Sequence, residues 1–111
     1  MLPLIRTEEY LTEEGKNPFA DWFDSLDAHA ANKVNTYLTR IAEGNTSSLK
    51  PIKGALQEVR IDWGPGYRVY VGKDGNTLII LLGGGTKQRQ QKDIDTAAEL
   101  WEEYKKRKKG A

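Results

Sequence analysis

The chain contains no cysteine and a single histidine, His29, among its 111 residues. Without cysteine, disulfide bonds, iron–sulfur clusters and thiolate zinc sites are excluded. One histidine is too few for a metal site built from several imidazoles. His29 lies among alanines where one helical pattern gives way to the next, which is typical of an exposed residue rather than a catalytic one. We therefore expect no metal ion and no other cofactor.

Long apolar runs are also missing. No run approaches the ~20 apolar residues that a membrane span requires. The residues after Met1 soon include Arg6, Glu8 and Glu9, so the apolar core of a secretory signal is not found. We expect a cytoplasmic protein that makes no membrane contact. Its length, with 38% hydrophobic and 30% charged residues, fits one folded domain over residues 1–111.

Net charge is small, but the positive charges are gathered late in the chain. The formal net charge is +1, while residues 87–92 and 105–109 form two basic runs. A basic surface of this kind attracts polyanions. Cations at a helix C-terminus also complement the helix dipole, and this second explanation fits residues 105–109 better.

The first half of the chain shows one extended segment and two helical patterns. Leu4–Tyr10 is predicted to form a strand. Asn17 and Pro18 are a preferred N-cap and a preferred first helical residue. Apolar residues then recur at helical spacing in two stripes, which are Phe19, Trp22, Phe23 and Leu26, then Val34, Tyr37, Leu38 and Ile41. Gly44 can end the second helix. Because the connection is short, we expect a helical hairpin.

The second half changes to the period of a strand. Leu56–Asp62 and Tyr67–Val71 alternate between apolar and polar residues, and Thr77–Leu82 is apolar on both sides, as in a central strand. We expect Gly83–Gly85 to end that strand and a last helix to run from about Asp93 to Arg107. The predicted fold class is α+β: a small antiparallel β-sheet with the helical hairpin on one face and the C-terminal helix beside its far end.

Four short segments, taken in order, resemble a known family. They are Leu56–Ile61 (Leu-Gln-Glu-Val-Arg-Ile), Gly64–Tyr70 (Gly-Pro-Gly-Tyr-Arg-Val-Tyr), Leu81–Lys87 (Leu-Leu-Gly-Gly-Gly-Thr-Lys) and Lys92–Asp95 (Lys-Asp-Ile-Asp). Together they resemble the RelE/ParE superfamily of toxins, in the branch of addiction-module killer or HigB-like proteins. The resemblance spans about residues 17–107 and is most specific in the second segment.

The resemblance implies a toxin of a type II toxin–antitoxin system. Its partner would be a cognate antitoxin, expected to be a helix-turn-helix protein from the adjacent gene. RelE-like and HigB-like members cleave mRNA without a metal, usually in the ribosomal A site, whereas ParE-like members inhibit DNA gyrase and are not nucleases. We expect an mRNA endoribonuclease, with gyrase inhibition as the alternative. A third reading is a module that only binds its antitoxin.

Metal-free RNA cleavage needs positive charge on the phosphate and groups that accept and supply protons. Arg60 and Arg68 are both out of phase with the apolar residues of their strands, so they should project from one sheet face. Lys87 follows the central strand and can reach over that face. With the resemblance, these three become candidate catalytic residues. On charge and spacing alone, the favoured interpretation is that Arg60 and Arg68 pair with Glu58 and Asp62 on an exposed face.

The start of the last helix departs from the family pattern. RelE-like nucleases typically carry a tyrosine or histidine there, whereas this chain has Gln91–Ile94. Asp93 is therefore the candidate proton acceptor, although it can also simply cap the helix. The candidate RNA-binding residues are Tyr67, Tyr70, Arg89 and Lys92. For the two tyrosines, packing within the sheet is favoured over a chemical role, because tyrosine commonly fills strand positions.

Overall fold

The computed structural model describes residues 4–110 and shows an α+β fold. Its elements in chain order are β1 (Arg6–Glu9), α1 (Pro18–Asp24), α2 (Ala28–Ala42), β2 (Leu49–Lys53), β3 (Leu56–Ile61), β4 (Tyr67–Asp74), β5 (Leu78–Thr86), a 3-10 turn (Lys87–Arg89) and α3 (Gln90–Gly110). The five strands form one sheet in the order β1-β5-β4-β3-β2.

α1 begins and α2 ends at the residues that the sequence indicated, whereas α1 ends at Asp24, before Leu26, the last residue of its predicted stripe. The Asn17 side chain accepts a hydrogen bond from the Ala20 amide at 3.0 Å, which satisfies one of the free N–H groups of the first turn. Asp27 caps α2 in the same way through the Ala30 amide, at 2.8 Å. Gly44 follows α2 with a φ of 98°, a conformation that glycine adopts without steric cost.

The sheet is mixed, which corrects the prediction of an antiparallel sheet. β2 to β5 are antiparallel neighbours, but β1 pairs with β5 in parallel, with Arg6 opposite Leu78 and Glu9 opposite Leu81. Parallel neighbours need a long crossover between them. Here both helices and three strands separate β1 from β5 along the chain, so local turn signals could not reveal the pairing.

Strand β2 was not predicted. Its sequence, Leu49–Lys53, contains Pro51 and two lysines, and a proline normally argues against a strand. Proline is nevertheless tolerated on an edge strand, because one side of that strand makes no ladder hydrogen bonds. β2 is such an edge, and its pairing with β3 is irregular between Pro51 and Lys53.

One sheet face is covered by α1 and α2. Their buried residues Phe19, Val34 and Ile41 pack with apolar side chains of the strands, which are Val59, Ile61, Val69, Val71, Ile79 and Leu81. α1 contacts chiefly β5 and α2 contacts β3. Each helix is therefore held mainly by the sheet, and less by its neighbour than a helical hairpin implies.

The opposite face is covered by α3, so the helices lie on both faces rather than on one. Ala97 and Trp101 of α3 pack with Tyr70, Ile80 and Leu82. Gly72 makes this possible, since a Cβ at that position would overlap the Trp101 ring. The helix also starts earlier than expected, at Gln90, directly after the 3-10 turn.

The glycines at 83–85 do not end the central strand, which continues to Thr86. They instead allow larger groups to lie against it. A Cβ at Gly84 would overlap the Trp22 ring on the α1 side, and a Cβ at Gly85 would overlap the Asp93 carboxylate on the α3 side. The triple glycine is thus a packing feature rather than a terminator.

Candidate functional site

A cleft of about 290 Å³ opens where β3 ends and β4 begins. Four of the predicted functional residues line it, namely Arg60, Tyr67, Arg68 and Lys87, together with Ile61, Asp62 and Gly66. The structure therefore brings together three cations that are up to 27 positions apart in the sequence (87 minus 60).

Strand register and one turn account for this convergence. Arg60 and Arg68 are directly opposite each other in the antiparallel pair of β3 and β4, so both side chains leave the same sheet face, as predicted. Gly66, with a φ of 81°, shapes the turn before β4. The Lys87 amide donates to the Gly66 carbonyl at 3.0 Å, which holds the lysine beside the cleft.

A buried carboxylate connects the two arginines. Glu58 is only 2% exposed. Its Oε1 accepts hydrogen bonds from Arg60 Nε and Arg68 Nη1, both at 3.0 Å, and Gln90 Nε2 reaches both carboxylate oxygens at 3.2 Å. One of the two sequence interpretations had both arginines pairing with Glu58 and Asp62 on an exposed face; they do pair with Glu58, but this carboxylate is buried. Among residues 4–110, Asp62 makes no ion pair.

The two arginines differ in what remains accessible. The Arg60 side chain is 55% exposed, whereas that of Arg68 is 11% exposed. Arg68 Nε is buried without a hydrogen-bond partner within the described part of the chain. Lys87 is exposed. Arg60 and Lys87 therefore present most of the accessible positive charge, while Arg68 forms part of the cleft wall.

Asp93 lies beside this cleft but does not line it. Its carboxylate sits against the backbone of Gly85, the residue paired with Arg68 across β4 and β5. Burial raises the pKa of Asp93, and the positive charges of Arg89 and Lys92 partly oppose that rise. Arg89 and Lys92 are themselves exposed, so the 3-10 turn and the first turn of α3 each add a cation near Asp93.

The two tyrosines have different surroundings. The Tyr67 ring is half-buried, lines the cleft and stacks on Trp63 with ring centroids 6.2 Å apart. Tyr70 is fully buried, which leaves no ring face for a nucleobase and makes the predicted RNA contact at this position wrong. Burial, with the charges of Glu58 and Asp93, raises the pKa of the Tyr70 hydroxyl to about 12.

Glu58 and Gln90 are the site residues whose importance the sequence did not indicate. The alternation of β3 identifies Glu58 as polar and on the face opposite Val59. It does not say that α3 covers this face, because the contact between Gln90 and Glu58 joins residues 32 positions apart. A glutamate predicted to be exposed is in fact the centre of a buried network.

No group of three or more histidine, cysteine, aspartate or glutamate side chains in residues 4–110 is arranged to hold a metal ion. No helix in the same range is both long and apolar enough to cross a membrane.

The fold and the cleft together define a small α+β protein with a cationic site at one end of its sheet. No family model matches the chain. A protein of Haemophilus influenzae, described only as uncharacterized, is 40% identical over 86 residues, which cover 77% of this chain and 87% of that protein. The chain therefore belongs to the same family as this H. influenzae protein.

Proposed function

We propose that this chain is the toxin of a type II toxin–antitoxin system, with the RelE/ParE fold of the HigB-like branch, and that it cleaves mRNA. The observation that supports this best is the convergence of Arg60, Arg68 and Lys87 on one cleft. Cations gathered in a cleft suit a phosphodiester, whose charge increases in the transition state.

The proposed reaction is attack of a 2′-hydroxyl on the adjacent phosphorus. The bond from phosphorus to the 5′ oxygen breaks, and the departing oxygen takes a proton from the Lys87 ammonium, which yields a 2′,3′-cyclic phosphate and a free 5′-hydroxyl. Arg60 and Lys87 contact the phosphate oxygens, and Arg68 adds positive charge from the cleft wall. Asp93 is the proposed acceptor of the 2′ proton, because a carboxyl whose pKa is raised is a stronger base than an ordinary aspartate. Arg89, Lys92 and Tyr67 are proposed to bind the flanking RNA.

Gyrase inhibition without nuclease activity is the second candidate. The observation that favours it is the low exposure of Arg68, 11%, together with its ion pair to Glu58. A guanidinium held in this way has fewer donors left for a phosphate. The cationic cleft would then serve as a protein-binding surface.

Expression in a bacterial host separates these functions. Inducing the chain alone should stop growth, and co-expressing the adjacent gene should restore it. Primer extension on cellular mRNA should show new 5′ ends within coding regions. Intact transcripts together with blocked supercoiling by purified gyrase would favour the second candidate, and normal growth at good expression would contradict both.

Single substitutions test the cleft. Lys87→Ala and Arg60→Ala should each lower the cleavage rate by about a hundredfold, since each removes a donor aimed at developing charge. Both side chains are exposed, so the variants should fold normally and still bind the antitoxin. Lys106→Ala, in the exposed basic run of α3, is the matched control and should remain toxic. Full toxicity of both cleft variants would refute this site.

A further inference from the structure

Glu58 is an unexpected residue in a site for a polyanion. It is a buried carboxylate that pairs with two cations of the cleft lining, Arg60 and Arg68, and its charge offsets one of them. Burying a charge is costly unless it is paired and hydrogen-bonded, and here it receives five hydrogen-bond contacts of 3.0–3.3 Å from three side chains. Electrostatic attraction of RNA alone gives no reason for this arrangement.

The geometry of the hydrogen-bond network around Glu58 does give a reason for the buried carboxylate. Arg60 donates to Glu58 through Nε, which leaves both terminal nitrogens of a side chain that is 55% exposed available as a fork. Two such donors match two phosphate oxygens. Arg68 donates Nη1 to both carboxylate oxygens, at 3.0 and 3.3 Å, which fixes the second guanidinium on the cleft wall.

The network also joins three elements. Glu58 and Arg60 are on β3, Arg68 is on β4, and Gln90 is the first residue of α3. Gln90 binds both oxygens of Glu58, so the carboxylate cannot rotate without losing contacts on every side. Asp93 follows Gln90 by less than one helical turn, and the same contact therefore also holds the α3 N-terminus against the cleft.

We infer that Glu58 is a positioning residue, which orients Arg60 and Arg68 toward the scissile phosphate and, through Gln90, holds α3 in place beside them. This inference rests on the proposed RNA cleavage. It makes a prediction opposite to that of simple electrostatics. Removing a negative charge from the cleft should strengthen RNA binding, yet loss of Glu58 should slow cleavage.

The test uses the purified full chain in a translation mixture of ribosomes and mRNA, so that cleavage is measured whether or not it needs the ribosome. Glu58→Gln should lower kcat by about a hundredfold, the size of effect that misplaced catalytic groups produce, with KM for mRNA unchanged or lower. Affinity for a fluorescent single-stranded RNA, measured by anisotropy, should not fall.

Asp62→Asn is the matched control. It removes one negative charge from the lining of the cleft, and Asp62 is outside the Glu58 network. This variant should bind the RNA more tightly, and its kcat should fall far less than that of Glu58→Gln. Glu58→Asp keeps the charge and shortens the side chain by one methylene, so it should fail to restore kcat if position, rather than charge, is what matters.

Gln90→Ala covers the case in which Glu58→Gln does not fold. It leaves both arginine pairs intact and should lower kcat in the same direction, by a smaller factor, with an unchanged circular dichroism spectrum. If Glu58→Gln, or Gln90→Ala where the former is unfolded, has the wild-type kcat, the positioning role is refuted while RNA cleavage stands. If the wild type cleaves no mRNA with or without ribosomes, the proposed function itself fails.

Discussion

The two faces of the sheet are buried in different ways. The face under α1 and α2 buries an apolar cluster that includes Phe19, Val59 and Leu81. The face under α3 is apolar around Trp101 but polar toward the α3 N-terminus, where Glu58, Arg68 and Gln90 are joined. The first face stabilises the fold by removing apolar area from water, whereas the second also holds a site.

Tyr70 marks the boundary between these two parts of the α3 face. Its ring packs in the apolar cluster, while its hydroxyl is buried without a partner in the described residues. An unpaired buried polar group lowers stability, so this half of the face is less favourable than a purely apolar one. Sites that bind or react commonly carry such a cost.

Among the variants that compare the two faces, the largest loss of stability is expected from Arg68→Ala, on the α3 face. The substitution leaves part of the Glu58 charge buried without a partner. Removing one member of a buried ion pair costs about 3–5 kcal/mol. Because Arg60 and Gln90 still contact Glu58, we expect a loss of about 3 kcal/mol in the free energy of unfolding, measured with urea. Arg60→Ala, whose side chain is largely exposed, should cost much less.

A double variant shows whether the loss of stability comes from the unpaired charge of Glu58. Adding Glu58→Leu to Arg68→Ala removes the carboxylate and should restore most of the lost stability. Both variants lack Arg68, so neither should show the proposed toxicity. A double variant that is less stable than Arg68→Ala would show that packing, and not charge, holds this half of the face together.

An intermediate effect is expected from alanine at two glycines, one on each face. Gly84→Ala would overlap Trp22 under α1, and Gly72→Ala would overlap Trp101 under α3. Overpacking a core of this kind costs about 1–3 kcal/mol, so both variants should have lower melting temperatures. Gly110→Ala, whose added methyl meets nothing within 4 Å, should melt like the wild type. A large drop in melting temperature for only one of these two variants would mean that the α1 and α3 contacts with the sheet differ in rigidity.

The smallest effect on stability, and one of opposite sign, is expected from Asp93→Asn. Burial raises the pKa of Asp93, so its ionised form is disfavoured in the folded state and lowers stability above the folded-state pKa. The variant should therefore be slightly more stable than the wild type at neutral pH. This difference should disappear as the pH falls below the pKa of an unfolded aspartate.

Activity provides the other half of the test of Asp93. If Asp93 accepts the 2′ proton, Asp93→Asn should lose cleavage while gaining stability. Melting curves across pH and primer extension on the same samples measure both. A variant that is more stable and still fully active would leave Asp93 as a helix-start residue only.

Local patterns in the sequence determined much of the fold. The cap at Asn17, the alternation of Val59 with Arg60 and of Val69 with Arg68, and the doubly apolar Thr77–Leu82 region each follow from the chemistry of a few adjacent residues. The same alternation placed Arg60 and Arg68 on one face, because side-chain direction in a strand has a period of two.

The tertiary structure decided what covers each face and which residues meet across it. The parallel pairing of β1 with β5, the edge strand with Pro51, and the position of α3 opposite α1 and α2 depend on contacts between residues far apart in the chain. Glu58 is the clearest case: its residue type and strand position are the same whether it faces water or Gln90. Only burial by α3, which no short stretch of sequence encodes, turns it from a surface carboxylate into the centre of the site.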